Sequence, residues 1–170
     1  YKEDAQTRPQ SVYGRTKLEG EEAVIRNCAG SMVIRTAWLY SAFGNNFVKT
    51  MLRLGEERDE LGVVADQIGT PTYARDLARM ILLAVDRGIV PGVYHFSNEG
   101  ACSWYDFTRA IHRMAGIKDC AVRPIHTEDY PVAAPRPHYS VLDKSKIKAA
   151  YAMEIPWWED SLKECLEELL

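Results

Sequence analysis

The stretch "QSVYGRTKLEGEEAVIRNCAGSMVIRTAWLY" (residues 10–40) sets a helical pattern directly before a strand-like one. Residues 12–27 read as a helix. Residues 31–40, "SMVIRTAWLY", are rich in β-branched and aromatic side chains and read as a buried strand. Working outward, the same alternation continues. Phe47, Met51 and Leu54 share one helical face in "NNFVKTMLRLGEE", and "ELGVVAD" is a short strand. The Gly/Pro turn "QIGTPT" leads into a helix expected over 72–87, with Tyr73, Leu77, Ile81 and Val85 at every fourth position and Gly88 as terminator. "GVYHFSN" is a further strand. "SWYDFTRAIHRMAG" is a helix with Ser103 and Asp106 spaced as a capping box and Gly116 closing it. "CAVRPIH" reads as a strand, "EDYPVAAPRPHYS" as a proline-rich loop, and 157–169 as a helix burying Leu162, Cys165, Leu166 and Leu169. Strands alternating with helices predict an α/β fold.

Composition narrows the function classes. The 170 residues are 46% apolar and 26% charged, with a net charge of −3. That is the make-up of a soluble globular chain, without the basic footprint of a nucleic-acid binder. No apolar run approaches the ~20 residues of a membrane span, and the start lacks a signal peptide's apolar segment, so a cytoplasmic location is expected. Cys28, Cys102, Cys120 and Cys165 form no CxxC pair, and the four histidines form no HExxH. Reduced thiols and no metal site are expected. No GxGxxG fingerprint for a dinucleotide occurs anywhere.

Tyr13 and Lys17 stand four residues apart, so a helix presents them on one face. An ammonium beside a phenol favours the phenolate, which makes such a tyrosine a usable proton donor or acceptor near neutral pH. Tyrosine and lysine are also common on helix surfaces, so the pair alone does not decide between catalysis and ordinary surface.

Five motifs in order decide it: "YGRTKLEGE", "VIRTAWLY", "GNNFVKTML", "VVADQIGTPTYARDLA" and "RPHYSVLDKSKI". Together they resemble the dTDP-4-dehydrorhamnose reductase family of the extended short-chain dehydrogenase/reductase superfamily, over nearly the whole chain. The resemblance implies the C-terminal part of an NAD(P)-binding Rossmann-type fold carrying a small substrate-binding lobe. It implies reduction of a dTDP-linked 4-keto-6-deoxy sugar by NADPH or NADH, giving dTDP-L-rhamnose. Tyr13 would protonate the oxygen, and Lys17 would assist it and hold the nicotinamide ribose. Arg35 and Thr36 would lie near the cofactor. Trp38, Asn46, Phe47, Gln67, Thr70 and Arg136 would meet the nucleotide sugar, Arg136 through its diphosphate. Asn46 and the "DQIGTPT" turn also have plain structural readings, as a helix cap and as a turn that starts the next helix. Where the family usually has "RPxNS", this chain has "RPHYS" at 136–140.

The resemblance also implies a glycine-rich pyrophosphate turn and a catalytic Ser or Thr ahead of the tyrosine. The sequence supplies neither, so the 170 residues are expected to be one substrate-binding unit without the nucleotide-binding half. Within it, 1–40 carry the YxxxK helix and a sheet strand, and 41–170 form the lobe, with a strand near 92–97 returning to the sheet. Such a unit is expected to be inactive alone and, with sheet edges and apolar faces uncovered, to self-associate or form a homodimer. The alternatives are a related nucleotide-sugar epimerase or dehydratase, and a non-catalytic regulatory nucleotide-binding subunit of the same family.

Overall fold

The computed structural model describes residues 1–130 and 136–170. The prolines expected to shape the loop at 131 and 135 lie outside the described residues. In chain order the elements are α1 (Val12–Asn27), β1 (Met32–Arg35), β2 (Leu39–Tyr40), α2 (Phe47–Glu57), β3 (Glu60–Val64), β4 (Ile68–Gly69), β5 (Thr72–Tyr73) and α3 (Ala74–Arg87). They continue with β6 (Gly92–His95), β7 (Cys102–Ser103), α4 (Trp104–Ala115), β8 (Ala121–Ile125), a 3-10 turn at Thr127–Asp129, α5 (Ser145–Tyr151) and α6 (Trp158–Leu169). The fold is α/β, as expected. β1 pairs with β6, β2 with β5 and β3 with β8, all in parallel, while β4 pairs with β7 antiparallel. Parallel neighbours need long crossovers, and the helices supply them. No helix among the described residues is long and apolar enough to cross a membrane.

Several helix ends follow their local chemistry. Ser11 accepts from the Gly14 amide to start α1, and Asn46 accepts from the Lys49 amide to start α2. Ser103 and Asp106 form the reciprocal capping box of α4. Gly116 ends α4 at φ 74°, in the left-handed region that glycine adopts without a Cβ penalty.

The structure corrects the sequence reading in four places. The single strand expected over 31–40 is two, β1 and β2, separated at Thr36–Trp38, where Trp38 takes φ 50°. The returning strand ends at His95, although the Phe96 amide still donates to the Arg35 carbonyl. Residues 72–73 are a short strand, and α3 begins only at Ala74. Only the first half of the expected stripe is inside: Tyr73 is buried and Leu77 packs against the core, whereas Ile81 is 45% and Val85 63% exposed, and Asp76, Met80 and Ala84 face in. The cause is polar: Asp76 has buried partners that fix the rotation of the helix. Finally, α5 lies in "DKSKIKAAYAM", where Ile147 and Tyr151 are its only buried anchors, too few to show as a period.

Two apolar clusters form the core. One joins α2, α4 and α6 through Tyr40, Val48, Phe107, Ile111, Trp158 and Leu162. The other lies between β6, α3 and α5 through Met80, Tyr94, Phe96, Ile147 and Tyr151. A buried polar knot ties them together. The Asn98 amide donates to Asp76 Oδ2 and to Ser161 Oγ, each at 2.7 Å, and its carbonyl accepts from the Tyr73 amide at 2.8 Å. Ser161 in turn donates to Asp76 at 2.5 Å.

Removing Asn98 takes one donor from the buried Asp76 carboxylate and leaves the buried Tyr73 amide without its acceptor. Asn98→Ala is therefore expected to cost about 3 kcal/mol. The check is urea unfolding, with the midpoint falling and the slope unchanged; a midpoint equal to the parent's contradicts it.

Candidate functional site

Between α2, β3, the start of α4 and the loop after β8 lies a cavity of about 210 Å³. Phe47, Met51, Gln67, Trp104, Tyr130 and Arg136 line it together with Gly62–Val64 of β3. Phe47 is the first residue of α2 and Trp104 the first of α4, so two capped helix starts aim aromatic rings into one space. The rings pack as a set. Trp104 lies 4.6 Å from Phe47 between ring centroids, and Phe47 stacks on Phe107 at 5.6 Å. The Arg136 guanidinium sits 5.9 Å from the centre of the Trp104 ring.

Trp38 completes the wall from behind. Its indole stacks on Trp104 with centroids 3.5 Å apart and planes 16° from parallel. Its backbone lies at φ 50°, a conformation a bulky residue adopts only when its surroundings hold it. Part of that hold is Gly69, in the "QIGT" turn. A Cβ at Gly69 would come within 2.7 Å of two indole carbons of Trp38. The glycine is there because the ring occupies the space.

The polar rim is tied to the same turn. Gln67 is buried, and its Nε2 donates to Thr127 Oγ1 at 3.1 Å. Thr127 Oγ1 donates to Asp66 Oδ1 at 2.7 Å, and the Thr127 amide donates to the same carboxylate. These bonds, with His138 3.6 Å away, hold the Asp66 carboxyl below the usual aspartate range. The network fixes the turn that delivers Tyr130.

The second group of expected residues lies on α1. Tyr13 is 72% exposed, and the Lys17 ammonium sits 5.5 Å from the centre of its ring. Both side chains are open on one face of α1. Arg35 is differently employed. Its Nε donates to Glu21 Oε2 at 2.8 Å and its Nη2 to Glu21 Oε1 at 2.6 Å, while Nη1 reaches the Glu3 carbonyl at 3.3 Å. Three of its five N–H donors are thereby engaged, and Arg35 lines a surface pocket together with Lys17. Thr36 is exposed and donates to Thr72 Oγ1.

The structure thus brings Phe47, Gln67 and Arg136 together around one cavity, with Trp38 behind it. Asn46 caps α2 and donates to the Ser41 carbonyl, which leaves it a positioning role there. Thr70 is only 1% exposed and donates to the Gly100 carbonyl, so the residue itself is part of the turn's framework. Tyr13 and Lys17 share no described hydrogen bond or ring contact with the cavity. The link is the backbone from Arg35, which holds α1, to Trp38, which backs the cavity. Sequence reading missed Trp104 and Tyr130. Trp104 had one signal, an aromatic ring immediately after the capping serine of a marked helix; Tyr130 had none.

Residues 1–170 match the family described as RmlD substrate binding domain. The chain is 43% identical over 168 residues to the spore coat polysaccharide biosynthesis protein SpsK of Bacillus subtilis, covering 99% of this chain and 58% of that protein. A crystal structure of a dTDP-4-dehydrorhamnose reductase from Clostridium acetobutylicum superposes with TM-score 0.93 at 46% identity, over 99% of this chain and 59% of that one. The dTDP-4-dehydrorhamnose reductase of Bacillus anthracis, solved in complex with NADP, superposes with TM-score 0.93 at 42% identity and the same coverage. The chain spans just under three fifths of the length of these relatives.

Two outcomes follow from the geometry. Gly69→Ala is expected to unseat Trp38 and abolish the coupled indole signal of the Trp38–Trp104 stack in near-ultraviolet circular dichroism; an unchanged signal contradicts the packing account. Asp66 has a lowered pKa in the fold, so its stabilising bonds are intact above the ordinary aspartate value of about 4 and are lost as pH falls through the lower folded value. The Thr127 amide should therefore lose hydrogen-exchange protection on acidification below that value. In Asp66→Asn the same pH step should change little; if both proteins respond alike, another group is responsible.

Proposed function

The chain belongs to the RmlD substrate binding domain family, the C-terminal portion of the dTDP-4-dehydrorhamnose reductases, and from that premise we propose that it supplies the catalytic helix and substrate-binding part of an NAD(P)H-dependent reductase converting dTDP-4-dehydro-L-rhamnose to dTDP-L-rhamnose. The observation that carries the reading is the grouping of Phe47, Gln67 and Arg136 with Trp104 around one cavity, backed by Trp38. Aromatic area with a few convergent polar groups is the usual make-up of a small-molecule site. Arg136 at its edge offers a planar fork that matches diphosphate oxygens. The amide of Gln67 and the phenol of Tyr130 offer hydrogen bonds to sugar or base.

A bound NADPH or NADH would supply the hydride. Hydride arrival at a carbonyl carbon leaves an alkoxide, which needs a proton at that oxygen. The Tyr13 phenol, exposed and beside the Lys17 ammonium, is the donor in this reading, and Lys17 holds the nicotinamide ribose. A cytoplasmic location and self-association belong to the same reading. The outward apolar residues of α3, Ile81, Leu82 and Val85, support the latter.

The test is Tyr13→Phe in the full-length enzyme carrying these residues, with the 170-residue chain alone as an inactive control. Turnover is expected to fall by about 100-fold or more while the KM for the nucleotide sugar stays within about twofold. Unchanged turnover contradicts the reading and favours a non-catalytic binding subunit.

A further inference from the structure

Of the sixteen residues of α1, only Gly14, Leu18 and Glu21 are even partly buried. This helix carries the tyrosine–lysine pair, yet no apolar side chain on it is buried. Gly14 and Leu18 make a shallow contact. The strong tie is the two-bond fork from Arg35, at the end of β1, to the Glu21 carboxylate, both side chains being mostly shielded from solvent. A fork of this kind fixes orientation as well as distance. Among the described residues it is therefore the contact that holds the rotation of α1 about its axis, and with it the direction in which Tyr13 and Lys17 emerge.

The fork has a second consequence. Glu21 follows Lys17 by four residues, so on a free helix the two would be neighbours able to pair. Arg35 holds both oxygens of Glu21, and the Lys17 ammonium stands over the Tyr13 ring instead. The clamp keeps the lysine available to the tyrosine.

We propose that Glu21 and Arg35 are positioning residues, a clamp that orients the Tyr13–Lys17 face of α1 and keeps Glu21 away from Lys17. The proposal rests on the catalytic reading of α1 given above. Neither residue touches the reacting atoms.

The experiment uses the full-length enzyme in four forms: parent, Glu21→Gln, Arg35→Lys, and the reciprocal pair Glu21→Arg with Arg35→Glu. Two quantities are read from each, the amide exchange rates of α1 and the split between kcat and KM. In Glu21→Gln, the α1 amides are expected to exchange about tenfold faster while those of α4 keep parental rates. kcat is expected to fall by about 10- to 100-fold with KM for the nucleotide sugar within about twofold. Arg35→Lys keeps the charge but loses the fork, and should show the same pattern more weakly. The reciprocal pair should recover most of the lost kcat. Parental α1 exchange in Glu21→Gln overturns the clamp. So does a raised KM with unchanged kcat in Arg35→Lys, which would make Arg35 a ligand contact. If Glu21→Gln does not fold, the lysine variant carries the same test. If the parent does not reduce the sugar, the proposed function fails, and the exchange rates still decide the clamp.

Discussion

The stack of Trp38 on Trp104 is the contact on which the rest of the site depends. It joins two parts of the chain that are far apart in sequence, the exit from β1 and the start of α4. To reach it, the backbone at Trp38 leaves the strand conformation for φ 50°. The strand is broken there because the ring must turn toward α4. Gly69 then follows as a steric requirement, since any side chain would meet the indole. Phe47, Arg136 and the cavity between them take their places from Trp104. One pair of rings therefore links the strand end, the "QIGT" turn and both aromatic helix starts.

Around this apolar centre the polar groups divide by burial. Several of those inside are tied to partners: Asp76 with Asn98 and Ser161, Thr70 with Gly100, and Gln67 through its Nε2 with Thr127. A buried polar group without a partner would destabilise the fold, so these residues are committed to structure first. The groups left open, Tyr13, Lys17 and Arg136, lie at the edges where a ligand can approach. Arg35 stands between the two groups: it is forked to Glu21 and one quarter exposed.

Much of this was legible in the sequence. α2 and α4 announced themselves through period and caps, because local chemistry determines where such helices begin and end. Ser103 with Asp106, and Gly116, were readable for that reason. The ordered motifs carried the family, and Phe47, Gln67, Trp38 and Arg136 came with it. What escaped depends on partners distant in sequence. The every-fourth-residue stripe of α3 runs from inside at Tyr73 and Leu77 to outside at Ile81 and Val85, and the bonds from Asn98 and Ser161 to Asp76 bring Met80 and Ala84 inward instead. The break at Trp38 is invisible without Trp104, and the role of Trp104 is invisible without Trp38. Arg35 and Glu21 meet across 14 residues, and nothing local couples them.

The central claim is that the cavity bounded by Phe47, Gln67, Trp104 and Arg136 receives a dTDP-linked sugar. Its most direct test is a nuclear magnetic resonance titration of the full-length protein with dTDP-L-rhamnose, following indole, glutamine side-chain and arginine side-chain signals. The account predicts saturable shifts at the Trp38 and Trp104 indoles, the Gln67 amide and the Arg136 guanidinium. Saturable binding that leaves all four signals unmoved would contradict it.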